Sequence, residues 1–244
     1  MKRLILILAP CLILAACQHR PLQVTQASEE LISIDSSLDA IADSAYLTLL
    51  EPVRLSLEEQ LSKPLGTAPE HMQALKPESN LLNWSADALL HMAQQVSGQD
   101  VDMSVVNIGG LRCEWPAGDI TFRNVFELMP FDNELVILTL TGQDLLDLAQ
   151  CFAEQGGQGM SGMRLVIHNN KAERVTLNSH PIVPQMLYRV ATSDYLSEGN
   201  DRLTPLNRYS ARWNSGMKIR DLYIDYIRQH PIVSAPTDGR TTIR

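Results

Sequence analysis

Two stretches of the 244-residue chain combine residue types that could meet a small polar ligand. The first is Asn107-Ile108-Gly109-Gly110-Leu111-Arg112. Asn107 offers both a donor and an acceptor to a sugar or phosphate oxygen. Gly109 and Gly110 let backbone N–H groups approach a ligand closely. Arg112 carries a planar, permanently charged fork suited to phosphate oxygens. The same residues would also make a tight turn between strand and helix with a surface arginine. The second stretch is Met129-Pro130-Phe131-Asp132-Asn133. Phe131 follows a proline and precedes two polar residues, which suits a loop tip better than a core, though a core role stays open. The six histidines (His19, His71, His91, His168, His180, His230) are scattered, with no acid at ligand spacing, so no metal site is assigned.

These residues need elements to hold them. With 45% apolar and 20% charged residues, the chain can bury a sizeable core. Its formal charge of −8, without a block of Lys or Arg, excludes nucleic acid as a partner. Leu82, Ala86, Leu89, Leu90, Ala93 and Val96 recur at helical spacing and predict a helix over about 79–97, stopped by Gly98. Val101 to Val106 reads as a strand delivering Asn107. Phe122 to Leu128 reads as a short helix or turn, and Leu135 to Leu140 as a buried strand. Thr141, with Asp144 three residues on, caps a helix carrying Leu145, Leu148, Ala149 and Phe152. Gly156, Gly157 and Gly159 suggest a flexible loop. Strands follow at about 163–168, 173–177 and 187–193, then a loop to about 216, a helix near 217–229 and an extended end. Upstream, a helical pattern begins at Asp43, and Pro52 is expected at or near the first turn of a second helix ending near Lys63-Pro64. Residues 64–77 read as a proline-rich loop. The sum is an α/β (α+β) fold, a single mixed-sheet domain with packed helices.

Lys2 and Arg3 precede an apolar run from Leu4 to Ala16, too short to span a bilayer. It ends in Leu14-Ala15-Ala16-Cys17, which resembles the bacterial lipobox. That resemblance implies a signal peptide over 1–16, acylation (palmitate) on Cys17, a tether over 17–39 and a domain over 40–244. Leu31 to Ile34 could belong to the tether or form a short strand. Gln18 in place of the retention Asp implies the outer membrane, facing the periplasm. Cys113 and Cys151 then remain, as partly buried thiols or, in an oxidising compartment, a disulfide.

Four motifs in order resemble the C-terminal, substrate-binding domain of the 5′-nucleotidase and UDP-sugar hydrolase family. They are Pro77-Glu78-Ser79-Asn80-Leu81-Leu82-Asn83 with Asp87, Asn107 to Arg112, Leu128 to Asn133 followed by Thr141-Gly142, and Tyr188 to Tyr195 leading to Gly199-Asn200-Asp201. The resemblance implies that Phe131 and Tyr195 sandwich a base, each stacked contact worth about 1–3 kcal/mol. It puts Asp201 near the ribose, although Asp201 could equally cap its own loop. Substrate contacts are thus expected at Asn107, Gly109, Gly110, Arg112, Phe131, Tyr195 and Asp201. Asn80, Asn83 and Asp87 read mainly as structural, with a role at the ligand edge as the lesser alternative. Three departures thin the phosphate contacts: Ile108 replaces a glycine, Pro77 stands where an arginine is frequent, and Asn200 and Arg202 replace glycines.

The family hydrolyses phosphate esters with two metals held by a separate metallophosphatase domain, whose D-x-H, G-N-H-[DE] and G-H-x-H signatures do not occur here. The expected function is therefore the binding of a nucleotide, nucleoside or sugar nucleotide. No catalytic residue and no cofactor is expected on this chain, with divalent metals only on a partner metallophosphatase. The alternative is a non-catalytic ligand-binding envelope lipoprotein. For the anchor, Cys17→Ser should move the protein from the membrane to the soluble fraction. Membrane association that survives the substitution would rule the lipobox out.

Overall fold

The computed structural model describes residues 26–29, 31–35 and 44–244. The apolar run, Cys17, much of the expected tether and Asp43 lie outside the described residues. Residues 31–34 carry no strand. The described residues before Pro52 belong to one unit, and Pro52–Arg244 forms the other, which contains every strand among the described residues.

Helix α1 (Ser44–Leu61) is continuous, with Pro52 inside it. The expected break at Pro52 is corrected. One proline removes one backbone donor, and flanking Leu, Glu and Arg residues have helix propensity enough to carry the helix past it. Strand β1 (Pro64–Ala68) occupies the start of the expected loop. Helix α2 (Asn80–Ser97) ends at Gly98, whose φ of 63° is the left-handed conformation that glycine adopts without penalty. Strand β2 (Met103–Val106) runs into a 3₁₀ turn at Ile108–Gly110. Next come β3 (Gly118–Thr121), α3 (Phe122–Leu128), β4 (Glu134–Thr141) and α4 (Gly142–Glu154). Thr141 and Asp144 form the expected capping box at the start of α4.

Strand β5 (Gly159–Ser161) corrects the expected glycine loop. It pairs with β2, and a Cβ on Gly159 would lie 2.7 Å from the Val106 carbonyl oxygen, so the close strand approach requires glycine. The chain continues through β6 (Met163–His168), β7 (Lys171–Leu177), β8 (His180–Pro181), β9 (Leu187–Ser193) and the short α5 (Asp194–Ser197). After a 3₁₀ turn at Thr204–Arg208 comes β10 (Ala211–Lys218), which lies within the expected loop. It is an edge strand, its register shifts between Asn214 and Lys218, and none of it is fully buried. Without alternating apolar residues it gives no strand pattern. Helix α6 (Ile219–Gln229) and β11 (Thr241–Ile243) complete the chain.

The central sheet has the order β10-β4-β9-β2-β5, with β2 and β9 parallel and the other pairs antiparallel. A second sheet has the order β11-β6-β7-β8, and β1 pairs with β3. Alternation along β4 feeds two cores. Leu135 and Ile137 enter one with α2 and α6, around Trp84, Trp115 and Tyr223. Val136, Leu138 and Leu140 enter the other with α4 and the second sheet. A sheet covered on both faces has near-continuous apolar strands, which is why β4 is plain in the sequence. The Tyr223 hydroxyl donates to the Ser85 carbonyl, and burial pushes its pKa well up.

Arg240 ties the C-terminal segment to α2. Its guanidinium donates to both oxygens of Asp87 (2.7 and 3.0 Å), to Asp238 and to the Met160 carbonyl. Asn83 donates to Glu78 and to the Pro236 carbonyl, and Asn80 holds the backbone at His71 and Gln73. These three residues of α2 therefore hold the fold, as the sequence suggested. Breaking a buried pair costs about 3–5 kcal/mol, and the partial exposure of Asp87 reduces it. Arg240→Ala should lower unfolding free energy by about 2–3 kcal/mol, read as a lower urea midpoint at unchanged slope.

Candidate functional site

Strand ends build the site. A pocket of about 370 Å³ opens where β2 gives way to the 3₁₀ turn and β9 to α5. Its walls include all seven residues singled out above, Asn107, Gly109, Gly110, Arg112, Phe131, Tyr195 and Asp201. Its floor is apolar, with Val105, Val106, Met129, Leu196 and Ile219. Phe131 and Tyr195 are each 43% exposed. Phe131 is thus a loop-tip ring, and the core alternative is set aside.

Asp201 is the polar hub. One carboxylate oxygen accepts from Asn107 Nδ2 at 2.5 Å and the other from the Tyr195 hydroxyl at 2.9 Å. Its φ of 54° and the 61° of Arg202 turn the chain sharply here. The Gln155 side chain donates to its carbonyl. Gln155 also accepts from Gln158, whose side-chain oxygen in turn accepts the Ile108 N–H at 2.9 Å. The Ile108 amide is therefore engaged within the protein and is not offered to a ligand. The loop-capping alternative for Asp201 holds in part, since it braces its own loop while facing the pocket.

Gly110 has a strict local cause. A Cβ there would lie 2.7 Å from Asn107 Oδ1, so any side chain would displace the asparagine. Arg112 donates to the Gly109 carbonyl at 3.1 Å, and its guanidinium carbon lies 5.7 Å from the centre of the Phe131 ring, in cation–π range. Pro77 does not line this pocket. It packs on Gly157, where a Cβ would lie 2.6 Å from the Pro77 carbonyl oxygen.

The loop carrying Phe131 is clamped from α6. Arg220 donates to the carbonyls of Met129 and Phe131 and pairs with Asp132 at 2.8 Å, stacking on Phe126 at 4.2 Å. Lys218 takes the other Asp132 oxygen at 2.9 Å. Hydrogen bonds from Lys218 and Arg220 hold the Asp132 carboxyl below its ordinary range. Asn133 donates to Asp194 at 3.0 Å, joining this loop to the start of α5, which carries Tyr195. Sequence reasoning missed Gln155, Gln158 and Arg220 because each acts through a residue distant in the chain. Asn133 stood within a quoted motif and was not singled out.

Among the described residues, no three His, Cys, Asp or Glu side chains come together as they would to hold a metal ion. Cys113 and Cys151 are free thiols, and burial pushes both pKa values up.

Residues 63–208 match the family described as 5′-nucleotidase, C-terminal domain. The chain belongs to this family. It is 24% identical over 197 residues to Protein UshA of Escherichia coli (strain K12), covering 79% of this chain and 35% of that protein. It is 23% identical over 193 residues to a 5′-nucleotidase of Vibrio parahaemolyticus, covering 77% of this chain and 34% of the relative. It thus spans about a third of the length of the curated relatives it matches. In fold it resembles the 5′-nucleotidase precursor from Thermus thermophilus, with a TM-score of 0.72 over 84% of this chain and 43% of that one, at 24% identity. It also resembles Haemophilus influenzae NAD nucleotidase, with a TM-score of 0.60 at 18% identity over 83% of this chain and 41% of that one.

The Tyr195 pKa is raised, first by its hydrogen bond to Asp201 and then by that residue's charge. A raised phenol keeps its donated bond at all pH below the ordinary value near 10 and loses it only as pH rises through the shifted value. Asp201→Asn should therefore move the Tyr195 titration down towards the ordinary value. Carbon-13 NMR of labelled tyrosine reads this directly, and an unmoved titration would mean that the contact is absent in solution.

Proposed function

We propose that this chain is the nucleotide-binding half of a 5′-nucleotidase-type phosphoesterase, holding a nucleotide, nucleoside or sugar nucleotide. In this reading the base stacks between Phe131 and Tyr195. Asn107 and Asp201 meet ribose hydroxyls, while Arg112 and the backbone at Gly109 and Gly110 meet the more acidic end. The observation that carries the reading is that two half-exposed rings, 64 positions apart in sequence, open onto one pocket with Asn107, Arg112 and Asp201 in its wall.

In this reading hydrolysis belongs to a separate metallophosphatase chain that supplies the divalent metals, and its support is that the D-x-H, G-N-H-[DE] and G-H-x-H signatures do not occur in the sequence. This chain's own part is to bind and orient. Its place would be the outer membrane on the periplasmic side, through lipid on Cys17, a reading that rests on the apolar run ending in Leu14 to Cys17 and on Gln18.

Phosphate release from AMP and UDP-glucose with Mn²⁺ or Co²⁺ tests the division of labour. The pure chain should be inactive and should support hydrolysis when a metallophosphatase partner is added. Activity that stays with the chain at homogeneity would overturn the split. Nucleoside binding with no hydrolysis in either arm would favour the non-catalytic envelope lipoprotein. Phe131→Ala should weaken nucleoside binding by about 1–3 kcal/mol in calorimetry, with unfolding unchanged. Equal affinity in the variant would remove the ring from the site.

A further inference from the structure

A second cavity, of about 430 Å³, lies on the outer face of the sheet β11-β6-β7-β8 and shares no residue with the Phe131 pocket. Strand pairing explains its lining. Val166 faces Arg174 across β7 and Thr242 across β11, while Arg164, two residues earlier on β6, faces Thr176. Leu165 and Ile167 point the other way, into the core. Period-two alternation therefore sends guanidiniums and hydroxyls to one face around an apolar centre. Arg244 closes the end, its backbone N–H donating to the Ile167 carbonyl at 2.9 Å, and Ser179 adds a hydroxyl from the β7–β8 turn.

Charge decides what the cavity can take. Three arginines and no Asp or Glu line it, on a chain whose formal charge is −8. Arg164 is braced by Asp238, through the Asp238 carbonyl at 3.0 Å and its carboxylate at 3.5 Å. Arg174 and Arg244 make no ion pair among the described residues. Even with Asp238 counted against them, three guanidiniums leave this face positive. We propose that this face is an oxyanion site for a phosphate group, with the forks of Arg164, Arg174 and Arg244 on its oxygens and Thr176 and Thr242 adding hydroxyl donors. Arginine and not lysine stands at all three positions, and its planar fork can engage two phosphate oxygens at once rather than act as a diffuse counter-charge. The phosphate could belong to a dissolved ester or to a lipid headgroup.

The test uses the full chain carrying Cys17→Ser, so that an acyl anchor does not dominate vesicle binding. Arginine side-chain Nε–H resonances are followed by NMR against inorganic phosphate and glycerol 3-phosphate. Sedimentation is followed with phosphatidylcholine vesicles, with and without phosphatidylglycerol. Shifts at Arg174 and Arg244 with the dissolved phosphates support an ester ligand. Binding only to the anionic vesicles supports a headgroup. In either case Arg174→Gln with Arg244→Gln should weaken binding at least about tenfold, the scale of losing charge-assisted hydrogen bonds. Arg174→Gln alone, an exposed change that leaves the strand intact, should weaken it less. No response to phosphate or anionic vesicles, or an equal response in the double variant, overturns the proposal. Nucleoside binding at Phe131 is measured in parallel and should not change.

Discussion

A strand buried on both faces cannot slip by one residue, because the slip would exchange the side chains committed to its two cores. That constraint governs β4, β9 and β2, whose alternate residues enter opposite cores. It also places the chemistry. With the register of these strands locked, their ends fall at fixed points, and Asn107, Asn133 and Tyr195 emerge beside one another at the rim of one sheet. The pocket is therefore a product of the sheet and not of any single loop.

From that rim the polar contacts spread outward in two chains. Asp201 joins Asn107 to Tyr195, and the two glutamines just after α4 steady the Asp201 turn and the Ile108 amide. Arg220 and Lys218 hold the loop under Phe131 through Asp132. The Asp132 carboxyl, kept below its ordinary range, lends this clamp stability above the unfolded carboxylate pKa near 4 and loses it as pH falls through the lower folded value. Phe131 and Tyr195 are half exposed and gain little from the core, so these bonds hold the segments that carry them.

Much of this was legible in the sequence where one physical signal dominated. The helix over Asn80–Ser97 shows its apolar stripe and its terminal glycine, and the cap at Thr141 shows its acid three residues on. The motifs around Asn107, Phe131 and Tyr195 marked the walls of the pocket residue by residue. What escaped had weak local signals. Strand β10 is an exposed edge with an irregular register, β5 begins at a glycine that close strand approach requires, and α1 runs through a proline. The bracing residues Gln155, Gln158 and Arg220 reach partners 46 to 91 positions away, and no pattern in a single sequence exposes such pairs.

The pairing of Asp201 bears on how choosy this pocket can be. Strong discrimination arises when a wrong ligand leaves a buried donor or acceptor of the site unmet. Here both Asp201 oxygens and the Asn107 Nδ2 already have partners inside the protein, and each keeps capacity for one further bond. A ligand that offers two flat faces and few hydrogen bonds thus strands nothing by entering. On the proposed nucleotide-binding reading, such a site places little demand on the identity of the ring, and selectivity then falls to groups attached beyond it.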